Sequence, residues 1–276
     1  MGEHSAYLII DVVIILLLIA GIGLFRTPPN AWRGTLLATL AMVAAVAAVL
    51  VRIDINRPEL IIVALLVGAL VGLFVAFRMN MIQIPAMIAF QHGAGGMAAF
   101  LVCSVELWRG AAAGMETLQV VAGLAGLLVG AGTFSASLIA GGKLANLMPT
   151  RPLTLRGHNP ILLVLAVIAL GLAIAAGFAA GGVLVALLVA VVVVLIALGV
   201  LVAVRVGGAD MPVLISTLNA TAGFAAAFSG IILESYLLVA AGATVAASGS
   251  VLTHVMCKAM NRRLLQVFTG IRRTQR

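Results

Sequence analysis

The chain has 276 residues, 64% of them hydrophobic and only 9% charged, with a formal net charge of +8. So few polar side chains cannot cover a soluble globule of this length, and the mean hydropathy of +1.28 makes lipid the surrounding medium. The positive charge lies at the ends of apolar runs rather than in patches, which argues against a nucleic-acid partner and for loops on the cytoplasmic side of a bilayer.

The N-terminal run "AYLIIDVVIILLLIAGIGLF" lacks a basic leader and is too long for a signal peptide, so it predicts a retained first span over 6–25. Further apolar segments follow at 34–51, 59–77, 84–107, 117–147, 160–180, 182–204, 212–233 and 235–260. Each is near the roughly 20 residues that a helix needs to cross hydrocarbon. Helix is the expected state, because an open strand leaves its backbone unsatisfied in lipid and a barrel would show alternation. The breaks carry Pro, Gly or charge, as in "RTPPNAWRG", "RIDINRPE", "LMPTRPLTLRGHNP" and "VRVGGADMP". The weakest break, "AGFAAGG", leaves an eight-span count as the alternative.

The fold class expected is therefore an all-α integral membrane protein, a bundle of about nine transmembrane helices. With the N-terminus outside, thirteen of the sixteen Lys and Arg fall on the inner side and only Arg52, Arg57 and Arg109 outside. The C-terminus is then cytoplasmic. Glu3, Asp54, Glu59, Glu106, Glu116 and Glu234 fall at or near the outer face. Small residues recur at four-residue spacing, at Gly68 and Gly72, Gly126 and Gly130, and Gly242, Ala246 and Ser250, which suits close helix packing. Cys103 and Cys257 lie inside apolar runs, without metal-ligand spacing, and read as small hydrophobes. No metal site is expected.

The polar groups within spans carry the chemistry. His92, in "AFQHGAGGMAAFLV", lies about eight residues from the inner end of the fourth span, or roughly 12 Å at the helical rise. Asn219, in "STLNATAG", lies at roughly 10 Å in the eighth, and Ser137, in "TFSASLIAGGK", at roughly 15 Å in the fifth. An imidazole, an amide and a hydroxyl in one layer suit a short proton relay, since histidine titrates near neutrality at about 6.5 and the other two can orient it. The bland alternative is a histidine that only bonds a neighbouring carbonyl and glues helices together. Asp11 sits near enough to the outer end of its span to reach the interface, and His254, near Lys258, is a secondary relay candidate or a snorkelling group. Asp210 is the one acid on the inner side, open to either a pairing or a switching role.

"GGADMPVLISTLNATAGFAAAFSGIIL" and "LLVAAGATVAASGSVLTHVMCKAMNR", with "FSASLIAGGKL" and the run around His92 in the same order, resemble the membrane domain of the beta subunit of proton-translocating NAD(P) transhydrogenases. The resemblance covers about 85–262, with "GGADMP" and "MCKAMNR" its most specific motifs. It implies conduction of protons across the membrane, coupled to hydride transfer from NADH to NADP+ on soluble domains. By resemblance His92 is the relay histidine, Asn219 the relay asparagine and Ser137 a channel-lining serine, while Asp210 and Arg262 communicate with the NADP(H) domain. Residues 1–262 form the proton-translocating domain, and 263–276 a basic tail or the start of a linker to an NADP(H)-binding domain.

The chain itself is expected to bind no cofactor, because its glycine clusters lie within spans and cannot cradle a pyrophosphate. NAD(H) and NADP(H) belong to partner domains, so this chain alone transfers no hydride. The partners implied are an alpha-type subunit with further transmembrane helices and an NAD(H) domain, an NADP(H)-binding domain, and a second copy of the complex as a homodimer, in a bacterial inner membrane. Departures from the family pattern are Gln83 and Ala86 in place of acids around Pro85, Ala246 in place of a glycine, and His254 in place of an aromatic. A proton- or cation-coupled secondary transporter is the alternative reading, although no charged midplane cage or internal repeat supports it.

Overall fold

A computed structural model of the chain describes residues 2–24, 28–52, 57–111 and 114–270. Phe25, Arg26, Asp54, Arg272, Arg273 and Arg276, used above for span ends and charge placement, lie outside the described residues, as does the side chain of Glu3. The described residues form ten α-helices: α1 (Gly2–Leu24), α2 (Ala31–Arg52), α3 (Pro58–Arg78), α4 (Ile84–Gly110), α5 (Thr117–Leu144), α6 (His158–Gly177), α7 (Gly181–Arg205), α8 (Met211–Ile232), α9 (Tyr236–Ala259) and α10 (Leu264–Thr269). Among the described residues, α1 to α9 are long and apolar enough to cross a membrane, the number expected. The doubtful break is a true reversal: α6 stops at Gly177, and Gly181 opens α7 with a left-handed φ of 59°.

Span ends move by a few residues, and one shift bears on the site. α5 ends at Leu144 rather than at 147, because Asn146 turns left-handed (φ 58°) and the Leu147 N–H donates to the Gly142 carbonyl at 2.9 Å. Ser137 is therefore about seven residues from the helix end, or roughly 10 Å, closer to the depth of the other two polar groups than expected.

The chain divides into two compact units, residues 1–84 and 85–276. In the first, α1 and α2 form a hairpin whose backbones approach at Gly21, where a Cβ would stand 3.0 Å from the Ala38 nitrogen. Asp11, expected near the outer interface, has a partner on the adjacent helix. It is 7% exposed and paired across the hairpin with Arg52, whose Nη1 lies 2.7 Å from Oδ1 and 2.8 Å from Oδ2. Arg52 also donates to the Tyr7 carbonyl at 3.1 Å and covers the Tyr7 ring at 4.8 Å. α3 has no buried residue.

In the second unit α5 is the most buried span and packs against α7, α8 and, more lightly, α6. α6 lies on α7, and α8 and α9 share the most extensive seam. α4 meets α5 where Gly96 and Gly130 face each other: a Cβ on either would stand 2.8 Å from the other's carbonyl oxygen. One apolar core joins Phe100, Leu127, Leu188 and Leu195. A second, at the Lys143 end of the bundle, joins Ala89, Ala140, Val206, Leu214 and Cys257, and includes Val267 of α10. The segment expected as a basic tail thus begins with a short helix seated on the bundle.

Candidate functional site: a polar layer between α4, α5 and α8

Each of the three layer residues is placed by a helix whose small residues allow close approach. Gly93, next to His92, faces Ser137, whose Cβ would stand 3.2 Å from a Cβ at that position. From α8, the Asn219 amide is close enough to the His92 ring to act on it as a hydrogen-bonding neighbour. His92 and Asn219 are half-buried and Ser137 is fully buried. Asn219 thus stands beside His92, and Ser137 packs against the neighbouring Gly93.

Its hydrogen bonding is incomplete. The His92 Nδ1 and the Ser137 Oγ are both buried, and neither completes a hydrogen bond. A buried polar group left unsatisfied costs about 1–3 kcal/mol, so a structural histidine would be expected to use both ring nitrogens, one donating to a carbonyl and one accepting from an N–H or O–H. His158 does so: its Nδ1 accepts from the Leu155 N–H at 3.4 Å, leaving Nε2 to donate to the Leu201 carbonyl at 3.1 Å. His158 ties the start of α6 to α7, whereas the His92 Nδ1 meets no partner among the described residues.

Beyond the layer, toward the Trp108 end, two further polar pairs cross the same seams. The Thr133 hydroxyl donates to the Thr221 hydroxyl at 2.8 Å, joining α5 to α8, and Cys103 Sγ meets Ser229 Oγ at 3.3 Å, joining α4 to α8. The Phe100 and Phe134 rings pack together at 5.8 Å. Sequence reasoning missed these pairs, because hydroxyls are common in spans and nothing in their spacing distinguishes a paired one.

At the other end, Asp210 and Arg262 form an ion pair, Nε to Oδ1 at 3.3 Å, between the turn before α8 and the chain after α9. Arg205 bonds the Asn159 side chain, whose amide reaches the Thr269 carbonyl at 3.5 Å, so the end of α10 lies beside α6 and α7. Lys143, counted above only as an inner-side charge, is 2% exposed and donates to three carbonyls of α7 and its C-cap. His254 is exposed on α9, while its neighbour Thr253 faces inward, and it is not brought to the layer. Among the described residues no cluster of three His, Cys, Asp or Glu side chains could hold a metal.

Residues 7–276 match the family described as NAD(P) transhydrogenase beta subunit. Two curated relatives, the NAD(P) transhydrogenase subunit beta of Rhodospirillum rubrum and that of a named strain of the same species, are each 35% identical over 272 residues, 96% of this chain. The match takes in 57% of each relative, so the chain spans about half the length of the curated relatives it matches.

Proposed function

The chain belongs to the NAD(P) transhydrogenase beta-subunit family, and from that premise we propose that it is the proton-conducting membrane domain of a proton-translocating transhydrogenase. It is a multi-pass membrane protein, with the Lys143 end facing the cytoplasm of a bacterial cell and the N-terminus outside. Hydride passes from NADH to NADP+ on soluble domains, and an alpha-type subunit completes the membrane part. The whole complex works as a dimer.

His92 takes up a proton from one side and releases it to the other. Asn219 holds the imidazole in place, and Ser137 presents a hydroxyl that can pass a proton on without itself carrying charge. Asp210 and Arg262 sit where a nucleotide domain on the cytoplasmic side could alter the register of α8 and hence of Asn219. One charge crossing about 150–200 mV releases roughly 3.5–4.6 kcal/mol. That shifts a nucleotide ratio by about two to three decades.

The observation that carries this reading is the buried, unpartnered Nδ1 of His92 beside Asn219. The test is His92→Ala in the complete enzyme, reconstituted into vesicles. Protons should no longer cross during transhydrogenation although the protein still inserts, and undiminished pumping would remove the relay assignment.

A further inference from the structure

Lys143 is the one charged side chain of α5, and nothing proposed above uses it. Its Nζ donates to the carbonyls of Ala203 at 3.2 Å, Val204 at 2.6 Å and Val206 at 2.8 Å. An ammonium group has three N–H donors and no acceptor, so these three bonds use it completely. The acceptors lie at the C-terminus of α7, where the helix gathers its negative partial charge; the Ala203 carbonyl also accepts the Val206 N–H at 3.2 Å. The arrangement fixes the last turn of α7 to the last turn of α5.

The held point lies just before a joint. Val206 is 1% exposed, in a core with Ala136 and Ala140 of α5, Met211 and Leu214 of α8 and Val267 of α10. The loop after α5 braces the same place: the Leu153 N–H donates to the Val204 carbonyl and the Gly208 N–H to the Thr150 carbonyl, both at 3.0 Å. From Val206 the chain runs through Gly207 and one 3-10 turn, Gly208–Asp210, into the helix that carries Asn219. The end of α7 is thus tied by Lys143 to the helix bearing Ser137 and by Leu153 to the loop that follows it. On the other side, the Asp210 N–H donates to the Gly207 carbonyl at 3.0 Å, and its carboxylate meets Arg262 in a partly exposed ion pair.

We infer that Lys143 is a positioning residue for proton transfer: it clamps the end of α7 to α5, making Gly207 and Gly208 the pivot about which α8 moves Asn219 against His92 and Ser137. The inference rests on the relay reading above and adds the fixed point that the moving helix requires. A plain helix cap would affect stability alone. A pivot also determines how faithfully a change at Asp210 reaches the layer.

The test uses the complete enzyme in vesicles, as wild type, Lys143→Met and Lys143→Gln, each with and without Asp210→Asn. Hydride transfer, protons moved per hydride and the thermal midpoint are read separately. Lys143→Met should lower protons moved per hydride, and Lys143→Gln, which keeps amide donors, should restore part of the loss. Adding Asp210→Asn to Lys143→Met should lower the ratio no further, because both act through one joint. An unchanged ratio with only a lowered thermal midpoint would overturn the pivot, as would losses that multiply in the double variant. Should Lys143→Met fail to assemble, Lys143→Gln alone and with Asp210→Asn decides by the same readings. A His92→Ala enzyme that still pumps removes the relay, whereas a normal ratio in the Lys143 variants removes only the pivot.

Discussion

The guanidinium of Arg262 stands 3.3 Å from the carboxylate of Asp210, so the turn that opens α8 is tied to the chain that leaves α9. Both residues were singled out by resemblance, one in "GGADMP" and one in "MCKAMNR", but nothing in their spacing of about fifty residues said that they meet. The pair closes the Lys143 end of the α8–α9 hairpin.

Asp210→Asn keeps the size of the side chain and removes its charge. A pair with side chains 18% and 35% exposed contributes about 1 kcal/mol or less to stability, so the variant should fold. If the pair transmits the state of the polar layer, linkage requires protonation there and NADP(H) binding to affect each other equally. The pH dependence of NADP(H) affinity should then differ between Asp210→Asn and wild type. Identical dependence in the two would make the pair a local contact.

Ser137→Ala separates stability from function. The hydroxyl is fully buried and unpartnered, so its removal should raise the thermal midpoint, relieving part of a cost of about 1–3 kcal/mol. Proton transfer should slow at the same time, because the layer loses a group able to pass a proton. A lowered midpoint would mean that the hydroxyl is satisfied in the membrane and that its orphan state is not a functional reserve.

Because the helical rise is constant, counting residues from the span ends put His92, Asn219 and Ser137 at similar distances, and in the structure Asn219 stands beside His92 and Ser137 against Gly93. Rotation about each helix axis was not legible. Lys143 and His254 were both assigned to the inner half, yet one is buried against the end of α7 and the other faces outward from α9. Counting residues treats them alike, since it registers the distance of a polar group from a span end and not the direction of its side chain. Asp11 shows the same limit, because its partner Arg52 is forty-one positions away and becomes a neighbour only when α1 and α2 fold together.

That pair supports a prediction of its own. Arg52→Gln would leave Asp11 inside the hairpin with a neutral partner and remove the cover over the Tyr7 ring. Stranding one member of a buried pair costs about 3–5 kcal/mol, and the partial exposure of Arg52 places this variant below that range. Asp11→Asn in the same background should recover much of the loss by removing the stranded charge. Thermal unfolding in detergent measures both, and additive losses would show that the two residues do not act as a pair.

The glycine stripes supply the last prediction, because three stripes with one spacing meet three different surroundings. A Cβ at Gly68 or Gly72 of α3 would meet nothing within 4 Å, while at Gly130 of α5 it would stand 2.8 Å from the Gly96 carbonyl. On α8 and α9 the backbones are closer still: a Cβ at Gly223 would overlap the Ala246 nitrogen, one at Gly242 the Ala227 nitrogen, and one at Gly249 would lie 2.6 Å from the Ala220 nitrogen. These are backbone atoms that cannot rotate away, so each added methyl must part the helices. Gly72→Ala should therefore be neutral or stabilising by up to about 1 kcal/mol, the helix-propensity difference. Gly242→Ala should cost about 1–3 kcal/mol or more from overpacking. Because the α8–α9 seam joins the Asp210–Arg262 pair to the helix bearing Asn219, it should also weaken the coupling of protons to hydride. The measurement is the thermal midpoint and protons moved per hydride for both variants. Equal tolerance at the two positions would mean that α8 and α9 do not pack at this distance in the membrane.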